Sequence, residues 1–366
     1  MRVGVSLLTL SPGDMGGSET YARELLRALS RNGRHDYAVI VPGRAKDAAE
    51  GLPAIEIKDP PVGKRGPLRI FTTALQARRT TGIAGVGGQL SGFDAIHYPL
   101  TVPSPRINAP TIVTLHDVQH RDLPEFFGPA RRSFRRLAYD RAARSAAAVI
   151  VTSEFVRGRA RDVLDLDPGR IHVVPLAIDR TVFRPGSEER EPIVLYPARG
   201  WPHKNHARLF GAFASLRETR PQLRLILTGG GLERLEPLPE GVESLGEVPP
   251  EQLASLYRRA ACLVYPSLYE GFGIPPLEAM ACGCPVAAAD AAAIPEVCGD
   301  AAVLFDPTDI EAMAAAMLEA DSRRDELTAL GRERAALFTW EETARLHEEV
   351  YDVAVNAGPG DSSRSA

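Results

Sequence analysis

The feature that most constrains this chain is a strand–helix alternation that runs for half its length, pauses, and starts again. Short β-rich runs at 3–8, 37–41, 94–98, 111–115, 147–152 and 171–174 are separated mostly by helical stretches. The first of these helices, over 18–30, carries Leu25, Leu26 and Leu29 at the spacing of an apolar stripe. The pattern halts between Pro175 and Pro192, where Pro185-Gly186-Ser187 and a charged run over 188–191 read as a linker. It resumes with strands expected at 193–196, 223–228, 242–245, 261–265, 286–288 and 303–305. Alternation of this kind folds as parallel sheets covered on both faces by helices. The expectation is therefore an α/β protein of two doubly wound, Rossmann-like domains, with ligands beyond the carboxyl ends of the strands in the cleft between the two. The domains are placed at 1–183 and 184–338, followed by an amphipathic helix at 339–356 and a disordered Gly/Ser/Pro-rich tail at 357–366.

Composition agrees with such an architecture. A length of 366 residues suits two domains, and 44% apolar with 25% charged residues is ordinary for a soluble globular chain. The net charge of −4 conceals an asymmetry: residues 1–185 hold 27 Lys+Arg against 18 Asp+Glu, and the remainder is acidic. A basic first half can face an anionic acceptor or membrane surface, or simply reflect surface drift. The overall acidity and the lack of any recognised module argue against nucleic acid as a partner. Cys262, Cys282, Cys284 and Cys298 form no C-x-x-C pair and read as buried free thiols. The apolar run 3–10 is too short for a signal peptide, and no stretch approaches the ~18–20 residues of a membrane span. A cytoplasmic location, at most peripheral on a membrane, is expected.

Two loops concentrate the chemistry. Residues 267–280 read Ser-Leu-Tyr-Glu-Gly-Phe-Gly-Ile-Pro-Pro-Leu-Glu-Ala-Met, a strand exit, a small-residue turn and a helix start. A proline in a first helical turn costs nothing, and the amides of such a turn can bind an anion. Glu270 and Glu278 flank it, either as acceptors for sugar hydroxyls or as a cap and a solvated helix residue. The second loop, 196–205, carries Arg199 and Lys204. A planar fork and a point charge there can neutralise a diphosphate leaving group in place of a metal.

Other signals are weaker. Gly16-Gly17 lies at the first strand–helix turn, and Gly229-Gly230-Gly231 ends a later strand, but neither fits G-x-G-x-x-G. His116-Asp117 follows the strand at 111–115, where His116 is either a ligand group or an ordinary core histidine. The stretch 131–144 carries Arg131, Arg132, Arg135, Arg136, Arg141 and Arg144 interleaved with Phe134, Leu137 and Tyr139. That helix can meet an anionic membrane or an anionic acceptor, or present a solvated face. No His, Asp or Glu grouping suggests a metal site.

Taken in order, these landmarks resemble the retaining GT-B glycosyltransferases of family 4, over nearly the whole chain. Glu270 to Glu278 matches the family's Glu-x7-Glu motif, and the flank through Cys282-Gly283-Cys284-Pro285-Val286 is typical of it. Ile294-Pro295-Glu296-Val297, Asp306-Pro307, Arg199 with Lys204-Asn205, the Gly16-Gly17 loop and His116-Asp117 fall in family order. The resemblance implies the GT-B fold, with the last helix crossing back to the first domain. It implies a nucleoside-diphosphate sugar as co-substrate, no cofactor and no metal, and a hydroxyl acceptor. GDP-mannose is mildly favoured over a UDP-sugar. By position, Glu270 would contact the transferred sugar, Glu278 the ribose, and Arg199 and Lys204 the diphosphate. Gly16, Gly17, Gly271, Phe272, Gly273 and Ile274 would line the donor, and His116 would face the sugar. The chain departs from the pattern at Gly200-Trp201-Pro202-His203 and at Ala291-Ala292-Ala293. The rival readings are a GT-B-fold epimerase and a sugar-nucleotide-binding protein without activity.

Overall fold

The computed structural model describes residues 1–13, 15–57 and 90–357, which form two compact units. One is Met1–Leu176 together with the segment that begins at Trp340; the other is Ala177–Thr339. The sequence reading changes domain at 183/184, whereas the compact units part at 176/177.

The first unit holds a seven-stranded sheet: β1 (Arg2–Ser6), β2 (Asp36–Pro42), β3 (Ala54–Ile57), β4 (Ala95–Tyr98), β5 (Thr111–Leu115), β6 (Ala148–Val151) and β7 (Ile171–Val173). Their order is β3-β2-β1-β4-β5-β6-β7 and every pairing is parallel. Both faces of such a sheet are covered, so its strands are apolar throughout rather than alternating, as Ala-Val-Ile-Val of β6 shows. The edge strand β3 is absent from the sequence expectation. Its four residues alternate exposed and buried around Glu56, which is too little signal in so short a run.

The second unit repeats the arrangement with β8 (Ile193–Pro197), β9 (Arg224–Thr228), β10 (Val242–Ser244), β11 (Cys262–Tyr265), β12 (Val286–Ala289) and β13 (Val303–Phe305). The order is β10-β9-β8-β11-β12-β13, again all parallel. All four cysteines are buried and free, and burial pushes the Cys282, Cys284 and Cys298 thiols up to about 12. In each sheet the order reverses once, at β1 beside β4 and at β8 beside β11, and loops leaving the carboxyl ends of such strand pairs are where this architecture places ligands.

The stretch read as a linker is bound to the second unit. Arg258 donates to Glu188 at 2.6 Å, Arg259 to Glu191 at 2.6 Å, and Arg190 to the carbonyls of Ala260 and Gly283 at 2.5 Å each. Its charges are partners for arginines packed beside β8, a pairing that composition cannot distinguish from a solvated linker.

The helix Trp340–Asn356 returns to the first unit and lies against the helix Gly17–Asn32. It buries Trp340, Thr343, Ala344, His347, Val350, Tyr351 and Ala354 at helical spacing. A directed chain of hydrogen bonds fixes it. His347 Nδ1 donates to the Thr343 carbonyl at 2.7 Å, so its Nε2 must accept, at 2.7 Å, from the Tyr21 hydroxyl. Thr114 then donates to Tyr21, His97 Nε2 to Thr114, and Tyr351 to His97 Nδ1, over 2.8–2.9 Å. Every group in the chain is buried, and both histidines are held neutral by that burial. The tail expected to be disordered lies, from 358 onward, outside the described residues.

Candidate functional site

In the second unit the two loops singled out in the sequence leave adjacent strands, β8 and β11. After β8 the chain passes Arg199 and Gly200, makes a 3-10 turn at Pro202–Lys204, and enters the helix His206–Thr219 through Asn205. Asn205 sits at φ 63°, a left-handed conformation that asparagine tolerates better than most residues. Its buried amide donates to the carbonyls of Pro266 at 3.0 Å and Pro307 at 2.7 Å, pinning the β8 loop to the end of β11.

Two glycines make the approach to the β9 loop possible. The Gly200 amide donates to the Gly230 carbonyl at 3.1 Å, and a Cβ at Gly200 would stand 2.2 Å from the Gly231 carbonyl oxygen. A Cβ at Gly229, which has φ 132°, would stand 2.6 Å from the Ala198 oxygen. The triple glycine thus serves close backbone packing.

Each cation has a carboxylate partner, a pairing not foreseen from the sequence. The Lys204 ammonium donates to Glu270 Oε1 at 2.5 Å and lies 3.4 Å from the Tyr265 hydroxyl. Ser267 donates to the same Glu270 oxygen. Burial alone would raise the Glu270 carboxyl, but Lys204, His203 and Ser267 outweigh it and hold the group below the usual carboxylate range. Arg199 instead reaches Glu247 Oε1 at 3.2 Å, with its guanidinium 5.7 Å from the centre of the Trp201 ring.

The rest of the β11 loop shapes a helix start. Phe272 is buried against Phe338, with ring centres 5.7 Å apart, so only its backbone is available to a ligand. Gly273 has φ 122° and caps the helix Ile274–Ala281. Pro275 and Pro276 have no N–H to offer, and the amides of Gly273 and Ile274 have no hydrogen-bond partner among the described residues. Glu278, on the next turn, is half-buried and accepts from the Tyr257 hydroxyl at 2.9 Å. Burial raises its carboxyl to about 7. Nothing in the local sequence marks Tyr257, Tyr265 or Glu247 as partners of these side chains. Only Ser267 carried a local signal, lying three residues before Glu270.

The first unit holds the remaining candidates. Gly16 has φ 58° and precedes the helix Gly17–Asn32, whereas Gly17 faces open space. The Gly13 amide turns back to Glu19 at 2.8 Å. His116 Nε2 donates to the Pro99 carbonyl at 2.9 Å, which leaves Nδ1 as an acceptor, and Tyr21 packs edge-on against it at 5.0 Å. Burial keeps that imidazole below its usual range and therefore neutral. Asp117 accepts from the Gln119 amide at 2.9 Å and from Arg135 at 2.8 Å.

The expected basic helix is two α segments, Pro129–Arg135 and Arg141–Ser145, joined by a π turn at Arg136–Asp140. Arg135 is taken up by Asp117, and Arg144 donates to the Leu164 carbonyl. Arg131, Arg136 and Arg141 are exposed, with Leu137 74% exposed between them. No helix among the described residues is long and apolar enough to cross a membrane.

Two parallel α/β units with charged loops at their strand reversals define a known class. Residues 15–182 match the family described as Glycosyltransferase Family 4, and residues 178–334 match Glycosyl transferases group 1. The O-antigen chain mannosyltransferase B of Escherichia coli is 33% identical over 254 residues, 63% of this chain and 67% of that one. The sucrose-phosphate synthase of Thermosynechococcus elongatus superposes with a TM-score of 0.80 at 23% identity, over 98% of this chain and 100% of that one. Anabaena HepE in complex with UDP-glucose superposes with a TM-score of 0.69 at 18% identity, over 97% and 100%. The fold is GT-B and the protein is a glycosyltransferase. The chain belongs to glycosyltransferase family 4.

Proposed function

We propose that this protein is a retaining hexosyltransferase. It moves a mannose- or glucose-type sugar from a nucleoside diphosphate to a hydroxyl of a glycan, glycolipid or small natural product, with no metal ion. The observation that carries the reading is the Lys204–Glu270 pair in the loops after β8 and β11, with Gly273 and Ile274 amides that have no partner among the described residues.

A sugar leaving a nucleoside diphosphate develops oxocarbenium character, while negative charge grows on the phosphate. Lys204 is fixed in place by Glu270 and Tyr265, so it meets that charge without reorganising. Arg199 adds a second cation once it leaves Glu247 for phosphate. Two amides at a helix start add donors of the kind that bind phosphate or a sugar hydroxyl. Glu270, kept ionised, accepts from hydroxyls of the transferred sugar. In the first unit His116, neutral with an open Nδ1, offers a hydrogen-bond acceptor of the kind a hydroxyl can use. As the bond from the anomeric carbon to the diphosphate oxygen breaks, the bond to the acceptor oxygen forms on the same face, and the acceptor proton passes to the departing phosphate.

GDP-mannose is favoured because the Escherichia coli relative is a mannosyltransferase, whereas HepE binds UDP-glucose and keeps UDP-sugars in play. The exposed Arg136, Leu137 and Arg141 suit peripheral contact with an anionic membrane from the cytoplasm.

The test is a thermal-shift panel of GDP, UDP and ADP in EDTA, followed by donor turnover. A ligand a hundredfold above its Kd contributes about 2.7 kcal/mol, so the right base separates from the others. Stabilisation by none of them, or only with a divalent ion, would overturn the metal-free reading. Binding without transfer would favour a binding protein.

A further inference from the structure

We infer that Tyr257 is the positioning residue of Glu278, holding one carboxyl oxygen so that the other stays open to the ribose diol of the nucleotide donor. This rests on the proposed donor role of Glu278.

Tyr257 lies on the helix Pro250–Arg259 and is fully buried. Its ring edge meets Phe183 at 6.1 Å between centres, and its hydroxyl ends on Glu278 Oε2 at 2.9 Å. The helix that carries Glu278 packs closely on its neighbour. A Cβ at Gly331 would already press on the Met280 side chain at 3.0 Å, and the proline pair fixes the first turn.

A carboxylate offers about four lone-pair directions, and Tyr257 uses one. Glu278 Oε1 has no hydrogen-bond partner among the described residues and is not sealed from water. The titratable groups that act on the carboxyl are Tyr257 from its own helix, Tyr265 from β11 and Cys282 just past the Glu278 helix, all uncharged. With no ion-pair partner among the described residues, this half-buried carboxyl is free to accept from neutral hydroxyls. A vicinal diol supplies two of them. Burial favours the protonated acid, raised to about 7, while the Tyr257 hydrogen bond favours the ionised form that a diol prefers.

The test is calorimetric titration of the full chain with GDP and with UDP between pH 5.5 and 8.5. In the wild type, affinity for the nucleotide that binds should strengthen as pH rises through the neutral range. Tyr257→Phe keeps the ring and its packing. It should raise Kd about tenfold, the scale of one hydrogen bond to a charged group, and move the midpoint to higher pH. Glu278→Asp, which draws the carboxylate back from Tyr257, should lose a similar factor if Tyr257→Phe proves too unstable to measure. Wild-type Kd and midpoint in either variant would overturn the positioning role. Glu278→Gln should bind weakly and without pH dependence. Wild-type binding by Glu278→Gln, or no nucleotide binding by the wild type, would instead overturn the donor role of Glu278 itself.

Discussion

The Lys204 ammonium and the Glu270 carboxylate meet at 2.5 Å across the ends of two neighbouring strands, and neither is more than one-sixth exposed. Lys204 helps to hold the Glu270 carboxyl below the usual carboxylate range. The pair is a preformed dipole fixed by Ser267 and Tyr265, so a ligand entering there meets both signs of charge at set positions.

Removing the cation should therefore act on rate more than on binding. Lys204→Ala is expected to lower kcat about a hundredfold with a smaller change in donor Kd, as for a group that stabilises leaving-group charge. Single-turnover kinetics separates the two. Equal loss in both, or a change in KM alone, would remove Lys204 from the leaving-group role. The same variant strands Glu270, whose depressed carboxyl contributes stability above the ordinary carboxylate range that is lost as pH falls through its folded value. Breaking such a pair costs about 3 kcal/mol, and urea unfolding at pH 7 and pH 4 should show the deficit shrinking in acid.

Glu278 behaves in the opposite sense. A carboxyl raised to about 7 in the fold contributes stability that is complete below pH 4.5 and lost as pH rises through 7. Glu278→Gln keeps the shape and cannot ionise, so its Tm should exceed that of the wild type by roughly 2–4 °C at pH 8. The gain should vanish near pH 4.5. A variant less stable than wild type at pH 8 would show that the carboxylate is welcome where it sits.

The docked C-terminal helix should carry its own pH dependence. His347 is buried and lowered to about 4, so its contribution is complete above pH 6.5 and is lost as pH falls from 6.5 toward 4. A shift of that size is on the order of 3 kcal/mol. His347→Gln should flatten the stability profile across pH 4–6.5, at a cost at pH 7 from the broken bonds to Tyr21 and Thr343. Hydrogen exchange localised to 340–356 would follow it, and an unchanged acid limb would place the titration elsewhere.

The glycines divide sharply. Gly200→Ala drives a Cβ into backbone at 2.2 Å and is expected to destabilise by about 2 kcal/mol or more. Gly17→Ala meets nothing within 4 Å at an ordinary φ and should leave Tm unchanged or slightly raised. Comparable losses at both positions would show that Gly17 has no more room for a Cβ than Gly200.

Much of this was written in the linear sequence. Strand–helix alternation gave both sheets because parallel strands must be apolar on both faces, and that period survives as a run of letters. Glu270, Glu278, Arg199 and Lys204 were visible because they follow strand ends, where the backbone turns and side chains become available. Only the tertiary structure decided what those groups hold. Lys204 and Glu270 are far apart in sequence, and they pair because β8 and β11 are neighbours, with Asn205 tying their loops together. Glu247 for Arg199, Tyr257 for Glu278 and Tyr21 beside His116 were equally hidden, since each comes from an element whose place in the sheet order or helix layer leaves no local mark. The residue types that can carry charge are a property of the sequence. Which of them stay charged depends on burial and partners, and these exist only once the sheets have closed around them.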